Sequence, residues 1–292
     1  MARNRSGPIS EHYHSDDPRQ TDLEVYIAEK AGSPPAGETA GRPAVLEGLI
    51  HPIDCIEGIG RLPRGSVDFV FADLPYGKTR NTWDKLVPIE SLWKALRIAC
   101  KPGAAKVFTA SQPFSSLLVA SNFEEFRHEM IWKKNKSSSF LNAKKMPLLA
   151  HENLLVFYRE YPFYEVQKTG GHPPMHAATK KPTTSTCYGE HGPMPNEAGT
   201  TLRYPTSVLE IPVVNNDDPE RIHSNQKPVD LVEWFLRSYT RPGDLVLDPT
   251  AGSGTTLVAA KRLGRRYVGF ESDVAMTMLA NERLCRTSAP AA

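Results

Sequence analysis

Strand-like and helix-like segments alternate in two blocks, residues 45 to 159 and 221 to 286, and the stretch from 160 to 220 between them sustains neither pattern. In the first block, "SVDFVFAD" has the β-branched and aromatic content of a buried strand. "IESLWKALRIACK" places Ile89, Leu92, Trp93, Leu96 and Ala99 on one helical face. "KPGAAKVFTA" reads as a turn feeding a strand, and "NLLVFYR" as another strand. In the second block, "PVDLVEWFLRSYT" predicts a helix, "DLVLDP" a strand, "GTTLVAAKRLG" a helix and "RYVGFES" a strand. "DVAMTMLANERLCR" closes the chain as a helix with Asp273 at its N-cap. Such alternation predicts an α/β fold, a doubly wound and mostly parallel sheet with helices on both faces. The intervening "KTGGHPPMHAATKKPTTSTCYGEHGPMPNEAGTTLRYP" is rich in Gly, Pro, Thr and His and too poor in aliphatics for core strands. It reads as an inserted loop region or small subdomain across which two half-sheets must assemble.

Residues 1 to 44 mix charge, Gly and Pro with little apolar periodicity. They read as a disordered tail with at most a short helix at "DLEVYIAEK", and residues 287 to 292 as a second tail. The chain carries 35 basic and 33 acidic residues, a formal charge of +2, so any attraction for nucleic acid must come from a local surface. Cys55, Cys100, Cys187 and Cys285 form no CxxC pair, which points away from a zinc site or disulfide scaffold and toward a reducing cytoplasm. No apolar run approaches the ~20 residues that cross a bilayer. The N-terminus lacks the apolar centre of a signal peptide, and the expectation is a cytoplasmic protein without a membrane partner.

Three features carry chemistry. "FADLPYG" stops an apolar strand on Asp73 and follows it with Leu74, a rigid Pro75 and Tyr76, which suits either a site or an exposed turn. "DPTAGSGTT" sets Gly252 and Gly254 between a strand and a helix, where backbone can approach a ligand closely and helix N–H groups are free. Neither a phosphate loop nor a G-x-G-x-x-G dinucleotide loop fits the spacing, since Thr255 follows Gly254. Glu271, ending the next strand, can accept from both hydroxyls of a ribose and favours a nucleoside cofactor over a plain tight turn. "WKKNKSSSFLNAKK" holds Lys133, Lys134, Lys136, Lys144 and Lys145 without an acid; it reads as a loop, either a phosphate-contacting surface or merely a solvated one. His172, His176 and His191 flank Cys187 at spacings that match no zinc signature.

Together these motifs resemble the amino-group DNA methyltransferases. "DPTAGSGTT" followed by "YVGFE" is similar to their S-adenosylmethionine loop and ribose acid, and "DLPY" to their catalytic Asp/Ser/Asn-Pro-Pro-Tyr tetrapeptide. "HSNQKP" resembles their H-x-x-Q-K-P element; "CKPGAAKVFTA", "HENLLVFYR" and "RYPTSVLEIP" resemble connecting segments. The resemblance spans residues 45 to 286, and the order, tetrapeptide before cofactor loop, is that of the β group. It implies a Rossmann-like methyltransferase fold in which residues 160 to 220 are the target-recognition region. It also implies double-stranded DNA as partner, adenine N6 as the methylated atom with cytosine N4 as the alternative, a solitary enzyme or the modification half of a restriction–modification pair, and a homodimer; an RNA or protein amine methyltransferase and a non-catalytic DNA-binding module are the more distant alternatives. Asp73, Leu74, Pro75 and Tyr76 would be catalytic; Asp248, Pro249, Ala251, Gly252, Ser253, Gly254, Thr255 and Glu271 would hold the cofactor. Lys227 is assigned near the cofactor on the same resemblance; Asp54 would either reach the cofactor's adenine or cap a surface helix. Leu74 departs from the family's usual proline but keeps the backbone carbonyl that would accept from the target amine.

Overall fold

The computed structural model describes residues 47–77, 86–176, 183–185, 189–191 and 197–290. The N-terminal tail, its expected helix at "DLEVYIAEK", Cys187 and the side chain of His191 lie outside the described residues. The strands are β1 (Ile50–His51), β2 (Val67–Ala72), β3 (Cys100–Ala110), β4 (Phe126–Ser138), β5 (Leu149–Phe157), β6 (Thr183–Ser185), β7 (Gly189–His191), β8 (Val208–Glu210), β9 (Leu245–Asp248) and β10 (Arg266–Phe270). The helices are α1 (Cys55–Gly60), α2 (Ile89–Ala99), α3 (Phe114–Ser121), α4 (Val229–Tyr239), α5 (Thr255–Arg262) and α6 (Val274–Arg286).

Eight strands form one sheet in the order β1-β10-β9-β2-β3-β5-β4-β8, while β6 and β7 pair separately. The run β1 to β3 is parallel, β5 is antiparallel to both β3 and β4, and β8 lies parallel to β4. The expected doubly wound, mostly parallel sheet is therefore present, with an antiparallel excursion at one side. The period-two pleat of β2 divides its side chains between two layers. Val70 and Ala72 pack with Leu92, Leu96 and Phe114 under α2 and α3, whereas Phe69 and Phe71 pack with Leu231 and Phe235 of α4. A third cluster of Ile50, Leu257, Val258, Ala280 and Leu284 seats α6. Asp273 caps α6 as expected, accepting from the Met276 N–H at 2.9 Å.

Two expectations are corrected. The segment from 132 to 145 is not a single loop: β4 runs to Ser138, so Lys133, Lys134 and Lys136 stand on a strand and only Lys144 and Lys145 lie in the connection to β5. The region 160–220 does contribute a strand to the main sheet, because β8 pairs with Ile131, Trp132 and Lys133. The chain leaving β8 is stitched to β4 by bonds from Trp132 Nε1 to the Ile211 carbonyl (2.7 Å) and from the Val213 N–H to Asn135 Oδ1 (3.0 Å). Apolar contacts join the backbone pairing here: Leu209 is buried with Met130 and Trp132, and Ile211 and Val213 pack against the same cluster.

Candidate active site

β2 and β9 are parallel neighbours, but their connections diverge: β2 leads through α2 to β3, β9 through α5 to β10 on the other side. A crevice opens where strand order reverses in this way, beyond the carboxyl ends of the strands. Asp73 and Asp248 stand at those two ends. The Thr250 hydroxyl, from the turn after β9, donates to the Asp73 carbonyl at 3.1 Å and ties the two halves together.

The Asp73 carboxylate is held from two sides. The register Ala72↔Phe108 carries the fully buried Thr109 to its side, where the threonine hydroxyl donates to Oδ1. The Tyr76 hydroxyl reaches the same oxygen at 3.0 Å, with its ring against Phe114 at 5.3 Å between centroids. Burial first, then the nearby Asp73 charge, lifts the Tyr76 phenol well above its ordinary value and keeps it a neutral donor. Leu74 is only 2% exposed and packs into the core, so apolar burial anchors the turn that a second proline ring would otherwise stiffen. On the other side, Lys227 Nζ donates to Asp73 Oδ2 at 2.6 Å.

Lys227 is also 3.4 Å from Glu152 Oε2, and Glu152 Oε1 accepts from Lys134 Nζ at 2.5 Å. The result is a row of alternating charges, Lys134, Glu152, Lys227 and Asp73. Burial works against the Lys227 charge, but the two carboxylates outweigh it and push its pKa up to about 12. The "HSNQKP" element is the turn that delivers this lysine. Gln226 clamps it, accepting from the Ile222 N–H and donating to the Glu220 carbonyl, each at 3.1 Å. Pro228 then stands at the N-cap of α4.

The glycine loop forms the opposite wall. Gly252 and Gly254 take φ of +49° and +73°. A Cβ at Gly254 would stand 3.0 Å from Ile50 Cδ1; at Gly252 nothing lies nearer than the Thr250 carbonyl at 4.0 Å, so that face of the loop is open. Glu271 anchors the loop, accepting from the Gly252 N–H at 3.0 Å through Oε2 and from the Asp273 N–H at 2.9 Å through Oε1. Each oxygen keeps a second lone pair, so two hydroxyls can still be received. Burial raises the Glu271 pKa, and it raises that of Asp248 to about 7 despite donors from Thr256 and the Thr250 N–H. An open backbone cradle at a helix start, with an acid at the next strand end, fits a nucleoside-type cofactor. Pro249 lies in the β9–α5 turn, and Ala251 is buried with its N–H on the Phe270 carbonyl at 2.8 Å. Ser253 and Thr255 are held by Arg283, whose Nη1 donates to the Ser253 carbonyl (2.9 Å) and the Thr255 hydroxyl (3.2 Å).

Of the two readings of Asp54, capping is what its Oδ1 does, accepting from the Ile56 and Glu57 N–H groups at 2.8 and 3.2 Å. Lys227 meets the cofactor loop through its carbonyl, which accepts from Thr255 Oγ1 at 3.1 Å; its ammonium goes to Asp73 instead. Lys134 is drawn inward to Glu152, Lys133 pairs with Glu210 at 2.9 Å, and Lys136 bonds Asn215 at 2.9 Å. Lys144 and Lys145 are exposed beside Phe140 and Leu141 at the tip of the connection. His172 bonds Thr169 at 2.9 Å. Thr109, Glu152, Thr250 and Arg283 escape sequence reasoning, because only strand register and helix docking bring them to the motifs.

The chain shares this architecture with known proteins. It is 28% identical over 237 residues to the DNA adenine methyltransferase YhdJ of Escherichia coli, covering 76% of this chain and 77% of that one. It is 26% identical over 259 residues to the type II methyltransferase M1.MboII of Moraxella bovis, covering 80% and 94%. Among solved structures, the cytosine-N4-specific PvuII DNA methyltransferase superposes with a TM-score of 0.59 at 16% identity, over 85% of this chain and 94% of that one. The M1.HpyAVI–SAM complex superposes at 0.52 with 22% identity, over 81% and 98%; these two likenesses speak to the fold. The DNA methylase family pattern matches residues 67–282, from the start of β2 into α6, and the chain belongs to the N6/N4 DNA methylase family.

Proposed function

We propose that the protein transfers a methyl group from S-adenosylmethionine to the N6 amine of adenine in double-stranded DNA. The observation that carries this reading is Asp73, fixed by Thr109, Tyr76 and the Thr250 bridge at the mouth of the crevice that the glycine loop lines. An exocyclic amine is a poor nucleophile because its lone pair is delocalised into the ring. Acceptors that grip its hydrogens, the Asp73 carboxylate and the Leu74 carbonyl, favour rehybridisation toward a usable lone pair. When bound, the cofactor supplies an electrophilic sulfonium methyl, whose carbon–sulfur bond breaks with its electron pair as the amine nitrogen forms the new bond. Asp73 then faces a developing cation, which its negative charge stabilises, and it can receive the proton that the amine releases. Positioning and electrostatics supply most of the acceleration, without a covalent enzyme intermediate. The base must leave the duplex to reach Asp73, and Tyr76 is its stacking partner.

Gly252, Ser253, Gly254 and Thr255, with Asp248, Pro249 and Ala251, form the cofactor cradle, and Glu271 takes the ribose hydroxyls. Asp54, if it reaches the adenine, does so through the oxygen that is not capping α1. Residues 160–220 form the target-recognition region, and Lys144 and Lys145 in the β4–β5 connection contact phosphates. A homodimer, a role in restriction–modification and a nucleoid-associated bacterial protein accompany this reading; sedimentation of the protein with and without DNA tests the dimer. The primary experiment uses methyl-labelled S-adenosylmethionine and unmethylated genomic DNA, digested to nucleosides. Label in N6-methyladenine supports the proposal; label in N4-methylcytosine keeps the amine grip and overturns the choice of base. Absence of label in DNA overturns the function.

A further inference from the structure

Every carboxylate oxygen of Asp73 has a donor before any base arrives. Oδ1 takes the Thr109 and Tyr76 hydroxyls, and Oδ2 takes the Lys227 ammonium at 2.6 Å. An amine entering the site can find room only on Oδ2, and there it meets the Lys227 ammonium, a positive charge beside the nitrogen to be methylated. Thr109 and Tyr76 are held by a buried strand and by a packed ring, whereas Lys227 has somewhere else to go. Glu152 Oε2 is buried and receives no hydrogen bond among the described residues, and it lies 3.4 Å from the same ammonium. Glu152 itself cannot swing away, because its other oxygen is fixed by Lys134 at 2.5 Å. Glu152 Oε2 therefore offers the ammonium a second buried carboxylate, already in ion-pair range and with no hydrogen bond of its own among the described residues.

We propose that Lys227 is a place-holder for the target amine, donating to Asp73 in the empty site and handed over to Glu152 when the base enters. The inference rests on the amine-methylating function proposed above and adds two positioning residues to it, Lys227 and Glu152. The hand-over matters chemically in two ways. It leaves Oδ2 wholly to the incoming amine, and it moves a positive charge away from the nitrogen that becomes cationic during methyl transfer. Across the exchange the number of charges inside the site is unchanged, so the ion pair is re-formed on Glu152 rather than abandoned.

The test is a cycle of Glu152→Gln, Lys227→Met and the double variant, read by single-turnover methyl transfer to unmethylated plasmid DNA. Thermal melting and equilibrium binding of cofactor and DNA are measured on each. With its receiving charge removed, Glu152→Gln is expected to slow transfer at least about tenfold while DNA and cofactor affinities hold. Deleting the place-holder should undo this, so the double variant is expected to recover about tenfold over Glu152→Gln. A merely structural pair predicts the reverse, and a double variant as slow as Glu152→Gln, or slower, overturns the proposal. So does a Glu152→Gln protein as fast as the original, or loss of cofactor binding as the main defect of Lys227→Met. A second readout is independent of turnover: the side-chain ammonium NMR signal of Lys227, assigned by its loss in Lys227→Met. With S-adenosylhomocysteine filling the cofactor pocket, addition of adenosine or cytidine should shift that signal in the original protein but not in Glu152→Gln. A signal unmoved by both nucleosides overturns the hand-over. Absence of DNA methylation by the original protein overturns the function instead.

Discussion

Asp73 illustrates how much of a site one residue can organise when its neighbours come from several strands. Replacing it with alanine is expected to lower turnover at least about 100-fold with cofactor binding retained, measured by methyl transfer alongside calorimetric titration. The two glycines should separate in a different experiment. Gly254→Ala combines a left-handed backbone with a Cβ 3.0 Å from Ile50 Cδ1, and should cost about 1–3 kcal/mol by denaturant unfolding. Gly252→Ala carries the backbone strain without that contact, so its larger defect should be in cofactor affinity. Asp248 offers a pH-dependent prediction. Burial raises its carboxyl from 3.8 to about 7, so the folded chain keeps a proton that the unfolded chain has lost across that window. Its contribution to stability therefore falls as pH rises from about 4 to about 7. Asp248→Asn should raise the melting temperature more at pH 8 than at pH 4. Asp73, Gly252, Gly254 and Glu271 were legible in the sequence because each sits in a contiguous motif at a strand end. Thr109, Glu152 and Arg283 were not, because their importance depends on what the fold sets opposite them.

Elements were legible where one face is apolar and obscure where pairing alone defines them. α2 and α4 follow their periodicity closely, Ile89–Ala99 and Val229–Tyr239. The end of β4, "KKNKSS", presents charge and amide or hydroxyl groups at every position and so reads as loop; the strand reaches Ser138 because β5 pairs with it again at Leu149. α3, eight residues with three serines, was missed because so short a helix shows little periodicity. These corrections redistribute the lysines. If Lys144 and Lys145 contact phosphates, Lys144→Ala and Lys145→Ala should each flatten the plot of log affinity against log salt by up to ~0.9, whereas Lys133→Ala should not. Inside β3, the fully buried Lys106 donates to Glu125 at 3.0 Å, with Arg97 on its other oxygen at 3.1 Å. Burial raises the Glu125 pKa, but the two cations outweigh it and hold it below its ordinary 4.5. The stability this gives is present above pH 4.5 and is lost on acidification through the depressed value. Lys106→Met would leave Glu125 buried and half-paired, at a cost of about 3–5 kcal/mol measured by denaturant unfolding near pH 7.

At the scale of the whole molecule, the fold class was legible because the alternation of strands and helices survives on both sides of the interruption. The strand order was not, since nothing local says that β9 will settle beside β2. That seam joins residues separated by most of the domain: Phe69 and Phe71 of the first half pack with Phe235 of the second. Residues 221–292 expressed alone should therefore lack a cooperative melt, because α4 and β9 would have no apolar partner; calorimetry on the fragment checks this. The Thr250 bond to the Asp73 carbonyl lies on the same seam. The chain is made from its N-terminus, so Asp73 leaves the ribosome long before Thr250, Glu271 or Arg283 exists. No nascent or half-folded copy can modify DNA, and the first methyl group transferred is a report that synthesis and folding are both complete.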